Sequence, residues 1–375
     1  MSIRQQNLGS IVKPGFNPLG VQTTSLLYNL FGWGSNAEGQ LGLGNTTSYS
    51  SPKQIGALTA WSKIAGGQRY TVSIKTDGTL WSWGQNFYGQ LGLGNGTDYS
   101  SPKQIGALTT WSAVAAGSNH TIATKTDGTL WAWGNGNAGA LGLGNTTSYS
   151  SPKQVGALTT WLKVAGGQYF TVATKTNGTL WSWGSNGDGQ LGLGNTTNYS
   201  SPKQIGALTA WSAIATGVAH TIATKTDGTI WSWGQNTSGQ LGLGNITNYS
   251  SPKQIGALTT WANPAAGRFH TIATKTDGAL WSWGQNTSGQ LGLGNTVNRS
   301  SPNQVGALTT WLYIAAGGYY TLSIKTDGAL WSWGSNGDGQ LGLGNTTSYS
   351  SPKQVGSQTT WTTITGGLLF TIAIG

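Results

Sequence analysis

Lys125-Thr-Asp-Gly-Thr-Leu-Trp-Ala-Trp-Gly134, continued by Gly139-Ala-Leu-Gly-Leu-Gly-Asn145, reads as the second strand of a tight hairpin running into a glycine-rich loop. The same words return along the whole chain, with the central tryptophan at Trp33, Trp83, Trp133, Trp183, Trp233, Trp283 and Trp333. Seven copies at a constant spacing of 50 account for residues 26–375, and residues 1–25 precede them as a leader. A length of 375 residues would otherwise suggest two or three domains. A fixed period instead predicts one array of repeated units.

Each unit reads as four short strands. Working outward from the quoted stretch, these are Pro102–Leu108, Trp111–Ala116, His120–Lys125 and Leu130–Trp133. Ile122 and Thr124 alternate with Thr121 and Ala123 in the period-two pattern of a strand. Thr126-Asp127-Gly128 is the hairpin between the last two, Gly supplying the positive φ that closes the turn. No segment carries a useful helical period, so the chain is all-β.

Seven units of four strands predict a seven-bladed β-propeller, in which radial repetition hides the sheet edges. The chain enters a unit at Leu26–Gly34, which aligns with a last strand, and leaves at Phe370–Gly375, which aligns with the strand before it. Each lacks its hairpin partner. The expectation is that they pair and close the ring.

The pattern Gly-x-x-His-Thr-Ile-Ala-Thr-Lys-Thr-Asp-Gly-Thr-Leu-Trp-x-Trp-Gly-x-x-x-x-Gly-x-Leu-Gly, as at Gly117–Gly142, resembles the repeat of the regulator of chromosome condensation family. The resemblance spans residues 26–375 and implies a seven-bladed propeller. It also implies guanine-nucleotide exchange on a small GTPase as one activity to consider. That activity calls for a distinctive protrusion, and the spacing here admits no insertion. Fold alone does not settle function within such a family.

Charged residues make up 7% of the chain, against roughly 25% in ordinary globular proteins. The surface is therefore Ser, Thr, Asn, Gln and Gly, a character associated with durable exposed particles such as virion or cell-surface components. The net charge of +10 invites a nucleic-acid reading. Twelve lysines, however, fall in two repeated columns, Lys53, Lys103, Lys153, Lys203, Lys253 and Lys353 after Ser-Pro, and Lys75, Lys125, Lys175, Lys225, Lys275 and Lys325 before the hairpin turn. Charge spread evenly around a ring reads as a solvated rim, so nucleic acid is disfavoured as partner. Cysteine is absent and disulfides with it. No apolar run is long enough for a membrane span or a secretory signal. Cytoplasmic synthesis is the expectation, with a virion-associated or surface-displayed destination.

Residues that could carry chemistry resolve into structure. The histidine column reads Tyr70, His120, Phe170, His220, His270, Tyr320, Phe370, a slot for a flat ring rather than a ligand or proton carrier. Five of the nine acids are hairpin residues, Asp77, Asp127, Asp227, Asp277 and Asp327, and Asn177 takes the same role. No paired carboxylates suited to acid–base work stand together. Catalytic, cofactor and metal residues are all read as none. Tryptophan, with 20 copies, is expected to fill the core between blades, and sugar stacking on it is the basis of a glycan-binding alternative.

Identical units cannot present one specific surface, so the positions where the copies differ are informative. One variable pair precedes the ring slot, including Arg69, Asn119, Tyr169, Arg268, Phe269 and Tyr319; another follows Trp-Gly, including Phe87 and Tyr88. Strand direction puts both on one face of the disc, with the Asp-Gly turns and Ala-Leu-Thr-Thr loops on the other. The Ser-Pro-Lys lysines join the variable face if the first two strands of a unit pair. Arg69, Phe87, Tyr88, Asn119, Tyr169, Arg268, Phe269 and Tyr319 are thus the candidate partner-binding residues, Arg and aromatics being frequent interface anchors. The leader, with Pro14 and Pro18, reads as an extended arm docking on a neighbouring subunit through Val12, Phe16 and Leu19. The function expected is a non-catalytic binding or structural module contacting protein, held in a larger assembly by that arm.

Overall fold

Short strands rich in Thr, Ile, Val and Trp, punctuated by Asp-Gly and Gly-Leu-Gly, build seven four-stranded antiparallel sheets. The structure is a computed structural model describing residues 29–375 apart from 58 and 208. The leader residues Val12, Phe16 and Leu19 lie outside the described residues. From the axis outward, the second blade is Trp61–Gly66, Tyr70–Lys75, Leu80–Gly84 and Tyr99–Gln104, and blades three to seven repeat it. The first blade draws two strands from each end of the chain: Thr363–Gly366, Phe370–Ile374, Leu30–Gly34 and Tyr49–Gln54. Leu30 pairs with Ile374 and Gly34 with Phe370, so the ring closes as expected.

One detail of the strand order differs. The Ser-Pro-Lys strand begins at Tyr99 rather than Pro102, and it pairs backwards with Leu80–Gly84 of the preceding hairpin, not forwards with Trp111–Ala116. The condition that would have carried the lysines to the variable face is therefore unmet. Lys103 sits opposite Ser82, midway down the outermost strand, with its ammonium 5.4 Å from the ring centre of Tyr99. The reason is the loop of residues 85–98. Buried Asn86 gathers it by donating to the carbonyls of Asn95 (3.0 Å) and Thr97 (2.9 Å), while its Oδ1 accepts from Leu91 N (2.9 Å). A loop organised internally in this way makes the longer return the favoured one.

The core lies between blades. One representative cluster joins Phe170, Val172, Leu180, Leu191 and Ile205 of the fourth blade to Trp211, Ala223 and Trp233 of the fifth. Burying one such indole removes about 150–250 Å² from water, a gross hydrophobic gain on the order of 4 kcal/mol. In six blades two tryptophans of the hairpin strand meet the inner-strand tryptophan edge-on, Trp61 lying 6.0 Å from Trp81 and 5.9 Å from Trp83. In the first blade Phe31 and Trp33 meet Trp361 in the same way. Polar staples accompany the packing. The carbonyl of Gln90 accepts from Thr121 Oγ1 (2.8 Å) and Trp133 Nε1 (3.0 Å) of the next blade. Gln340 does the same for Thr371 (2.9 Å) and Trp33 (3.0 Å), stapling the seventh blade to the first.

The ring slot is sealed on all sides. His120, His220 and His270 are fully buried, each with Nε2 beside the Thr hydroxyl of the next blade, at 3.1, 3.1 and 3.0 Å. The preceding glycine column is dictated by this ring. A Cβ on Gly167 would stand 1.9 Å from Phe170 Cε1 and one on Gly117 2.2 Å from His120 Cε1. Burial pushes the pKa of His120 and His220 down to about 4 and of His270 to about 3, the last also through repulsion from His220.

The lysine column before the turn is not a solvated rim. Lys125 Nζ lies 5.1 Å from the Trp111 ring centre and 3.8 Å from that of Trp131, and the other five occupy the same position. The turn beside it forms a relay. Asp77 Oδ1 accepts from the Thr79 hydroxyl (2.7 Å) and N–H (2.9 Å), and that hydroxyl accepts from Trp81 Nε1 (2.9 Å). These bonds hold the Asp77 carboxyl below the usual range. In the sixth and seventh blades Ala279 and Ala329 replace the threonine, and the buried Nε1 atoms of Trp281 and Trp331 have no partner.

Two predictions follow from this packing. Ala279→Thr and Ala329→Thr restore the relay and should each raise unfolding stability by about 0.5–1.5 kcal/mol in urea titrations; an unchanged or lowered midpoint would contradict it. Second, the histidines ordinarily titrate near 6.5, so between that value and about 4 the unfolded chain binds more protons than the folded one. Stability is fully present above 6.5 and falls as pH drops through that window, by about 1.4 kcal/mol per unit for each ring. Replacing all three by Phe, as Phe170 and Phe370 already do in this column, should flatten the dependence between pH 6.5 and 4; an equally steep slope in the triple variant would refute the assignment.

Candidate functional site

Strand direction places the two variable stretches together. Tyr70–Lys75 runs away from residues 68–69 and Leu80–Gly84 runs back, so Gln85 N donates to Arg69 O at 2.9 Å. The same bond joins Asn135 to Asn119, Ser185 to Tyr169, Gln285 to Phe269 and Ser335 to Tyr319. At the opposite end, a Cβ on Gly128 would stand 2.1 Å from Thr159 O, so the hairpin turns and Ala-Leu-Thr-Thr loops do share the other face.

The candidate residues on the variable face divide by blade. Phe87 and Tyr88 crown the second blade, 75% and 37% exposed, edge-on at 4.9 Å. Arg69, nearby in the same blade, is bound to Glu38 of the first at 3.2 Å. Both partners keep substantial exposure, so this pair contributes about 0–1 kcal/mol. Across the ring, the Arg268 guanidinium lies 5.4 Å from the Phe269 ring centre and 5.7 Å from that of Tyr319, with those rings 6.5 Å apart. Tyr169 stands half-buried on the fourth blade. Asn119 is buried and stands apart from the exposed set.

Three features were not anticipated. The first of each variable pair lines the mouth of the central channel, a cavity of about 200 Å³ to which all seven blades contribute. Backbone bonds run around it from blade to blade: Gln68 N to Ser118 O (3.1 Å), Arg268 N to Gly318 O (3.1 Å), and finally Leu368 N to Gln68 O (3.3 Å). The second is a set of rim pockets between blades. That between the sixth and seventh is lined by Leu293, Val305, Leu308, Trp311, Lys325 and Trp331 and encloses about 450 Å³. Three others in the same position measure about 410, 380 and 300 Å³. The third is the lysine–tryptophan stack, whose signal was available in the pairing of Trp61 with Lys75 across the inner hairpin. Among the described residues no three His, Asp or Glu side chains converge as a metal site would require, and no helix is long and apolar enough to cross a membrane.

Comparison with known proteins agrees with this architecture. No curated protein matches the chain. Among solved structures, Prp20p from Saccharomyces cerevisiae is 21% identical and superposes with a TM-score of 0.83, covering 93% of this chain and 91% of its own. Yeast RCC1 (Prp20) bound to Kap60 gives 22% identity and 0.84, covering 93% and 89%. Human WBSCR16 gives 21% and 0.84, covering 93% and 98%. At these identities the likeness is one of fold. The regulator of chromosome condensation (RCC1) repeat matches seven times, at residues 29–74, 77–124, 127–174, 177–224, 227–274, 277–324 and 327–374. Each matched repeat after the first starts in the outer half of one blade and ends in the inner half of the next, which is the phase that closure of the first blade requires. The chain belongs to the regulator of chromosome condensation (RCC1) repeat family.

Proposed function

We propose that this chain is a non-catalytic binding module that takes a protein partner on its variable face. The observation that carries this is Phe87, three-quarters exposed on a loop held rigidly by Asn86, at a position filled by Ala37, Asn137, Gly187, Thr237, Thr287 and Gly337 in the other blades. An exposed aromatic pair on an ordered loop gives binding area at low entropic cost. The similarly folded Prp20p, described as binding Gsp1p and histones, supports the use of such a ring as a protein-binding surface. Exchange on a GTPase remains the finer alternative from the family. Display on a larger assembly such as a virion, tethered by the leader, is a further reading that rests on the sequence.

The rim pockets favour a second reading, glycan binding. They combine indoles, leucine and polar backbone at sizes that suit a small ligand. One set of variants separates the readings. A partner identified from the source and then purified should bind Phe87→Ser/Tyr88→Ser at least ten-fold more weakly than wild type, while Leu158→Ser on the opposite face binds normally. Equal binding by both variants would overturn the assignment to this face. Glycan-array binding by wild type and double variant alike would move the function to the rim pockets, and accelerated nucleotide release from a small GTPase would restore the exchange reading.

A further inference from the structure

The channel mouth is unlike the rest of the ring because each blade gives it a different side chain. Gln68, Ser118 and Gln168 form a polar arc on three consecutive blades, Val218 follows, and Leu368 completes the circle beyond Gly318, which contributes no side chain. Between Val218 and Gly318 stands Arg268, among the described residues the one charged side chain lining this cavity.

No acidic side chain is among the described residues lining the cavity with Arg268. Its guanidinium rests against Phe269 and Tyr319, and its backbone N–H is engaged with Gly318 O at 3.1 Å. Nε is buried with no partner. Three acids of this face are engaged elsewhere, Glu38 with Arg69 at 3.2 Å, Asp98 Oδ1 accepting from Asn86 N at 2.6 Å, and Asp188 Oδ1 from Asn248 Nδ2 at 3.0 Å, while Asp338, on the loop of the seventh blade, does not line the cavity. A planar guanidinium fixed on an aromatic platform matches the two oxygens of a carboxylate.

We propose that the channel mouth is a carboxylate-binding site that receives an acidic side chain at the tip of a peptide segment of the partner protein. This rests on the reading of the variable face as the partner's face and names the chemistry of what enters it. A cavity of about 200 Å³ admits a side chain but neither a folded domain nor a nucleic-acid duplex. A phosphate backbone would need a track of cations. Among the described residues Arg268 is instead the sole cation lining the mouth, and the repeated lysines are stacked on Trp and Tyr rings. The polar arc opposite supplies donors and acceptors for the peptide that carries the carboxylate, and the net charge of +10 favours approach of an acidic segment.

The test is fluorescence anisotropy on the full chain with a labelled Ser-Gly-Ser-Gly-Glu-Glu peptide, its Gln-Gln counterpart, and inorganic phosphate as competitor. The acidic peptide should bind at least ten-fold more tightly than the neutral one. Arg268→Gln should remove that preference, Arg268→Lys should weaken it through loss of the bidentate contact, and Lys353→Gln, removing the same charge at the rim, should leave it intact. Equal binding by wild type and Arg268→Gln, an equal loss in Lys353→Gln, or phosphate displacing the peptide at equal concentration would each overturn the proposal. Should Arg268→Gln fail to fold, Arg268→Lys decides: unaltered affinity in that variant would count against it. Phe87→Ser/Tyr88→Ser should retain the short peptide while losing the whole partner, so failure at the mouth and failure of the face are distinguishable.

Discussion

Everything in this molecule depends on the pairing of Leu30–Gly34 with Phe370–Ile374. Four strands of a single blade would bury one face at most, and an open row of seven would leave two apolar flanks wet. Closure turns every flank into an interior. Trp33 then reaches the carbonyl of Gln340 as Trp133 reaches that of Gln90, and the backbone circle at the channel mouth is completed by Leu368 on Gln68. The first blade is made like the others although its strands come from the two ends of the chain.

The repeated words of the sequence are the parts of this joint. Trp of the hairpin strand fills the gap between blades, its indole N–H fixed to the neighbour in every blade but the second, where Trp83 Nε1 has no hydrogen-bond partner among the described residues. The glycine before the ring slot makes room for the ring, and Asp-Gly-Thr ties the turn to the second indole. Lysine, which looked like solvated charge, lies across two indoles in each of six blades. What repeats is used up in holding the ring together. Binding is left to the positions that do not repeat, and these collect at one face and around the channel mouth.

The fold was legible because the period of 50 and the phase of the terminal strands leave one way to close. The pairing of the Ser-Pro-Lys strand was not. Its nearer neighbour along the chain is Trp111–Ala116, and only the internal bonding of Asn86 explains why the longer return wins. The variable face was legible from strand direction alone. Within it, Arg268 and Phe269 are adjacent in sequence yet the first lines the channel while the second supports it, a division that repeats in every blade but that strand direction alone does not give. Asn119 illustrates the same limit, since it is buried, as Ala219 is, whereas Arg69 in the same column is exposed and Tyr169, Phe269 and Tyr319 are half-buried.

If closure is the constraint on which the rest depends, the ring should open as one unit. Native-state hydrogen exchange measures this directly by comparing amides of the first blade with those of the fourth. The account predicts that Phe31, Trp33, Thr371 and Ala373 exchange with the same opening free energy and denaturant dependence as Val172 and Ala173. Exchange of the first blade alone, at an opening free energy well below that of the fourth, would contradict it.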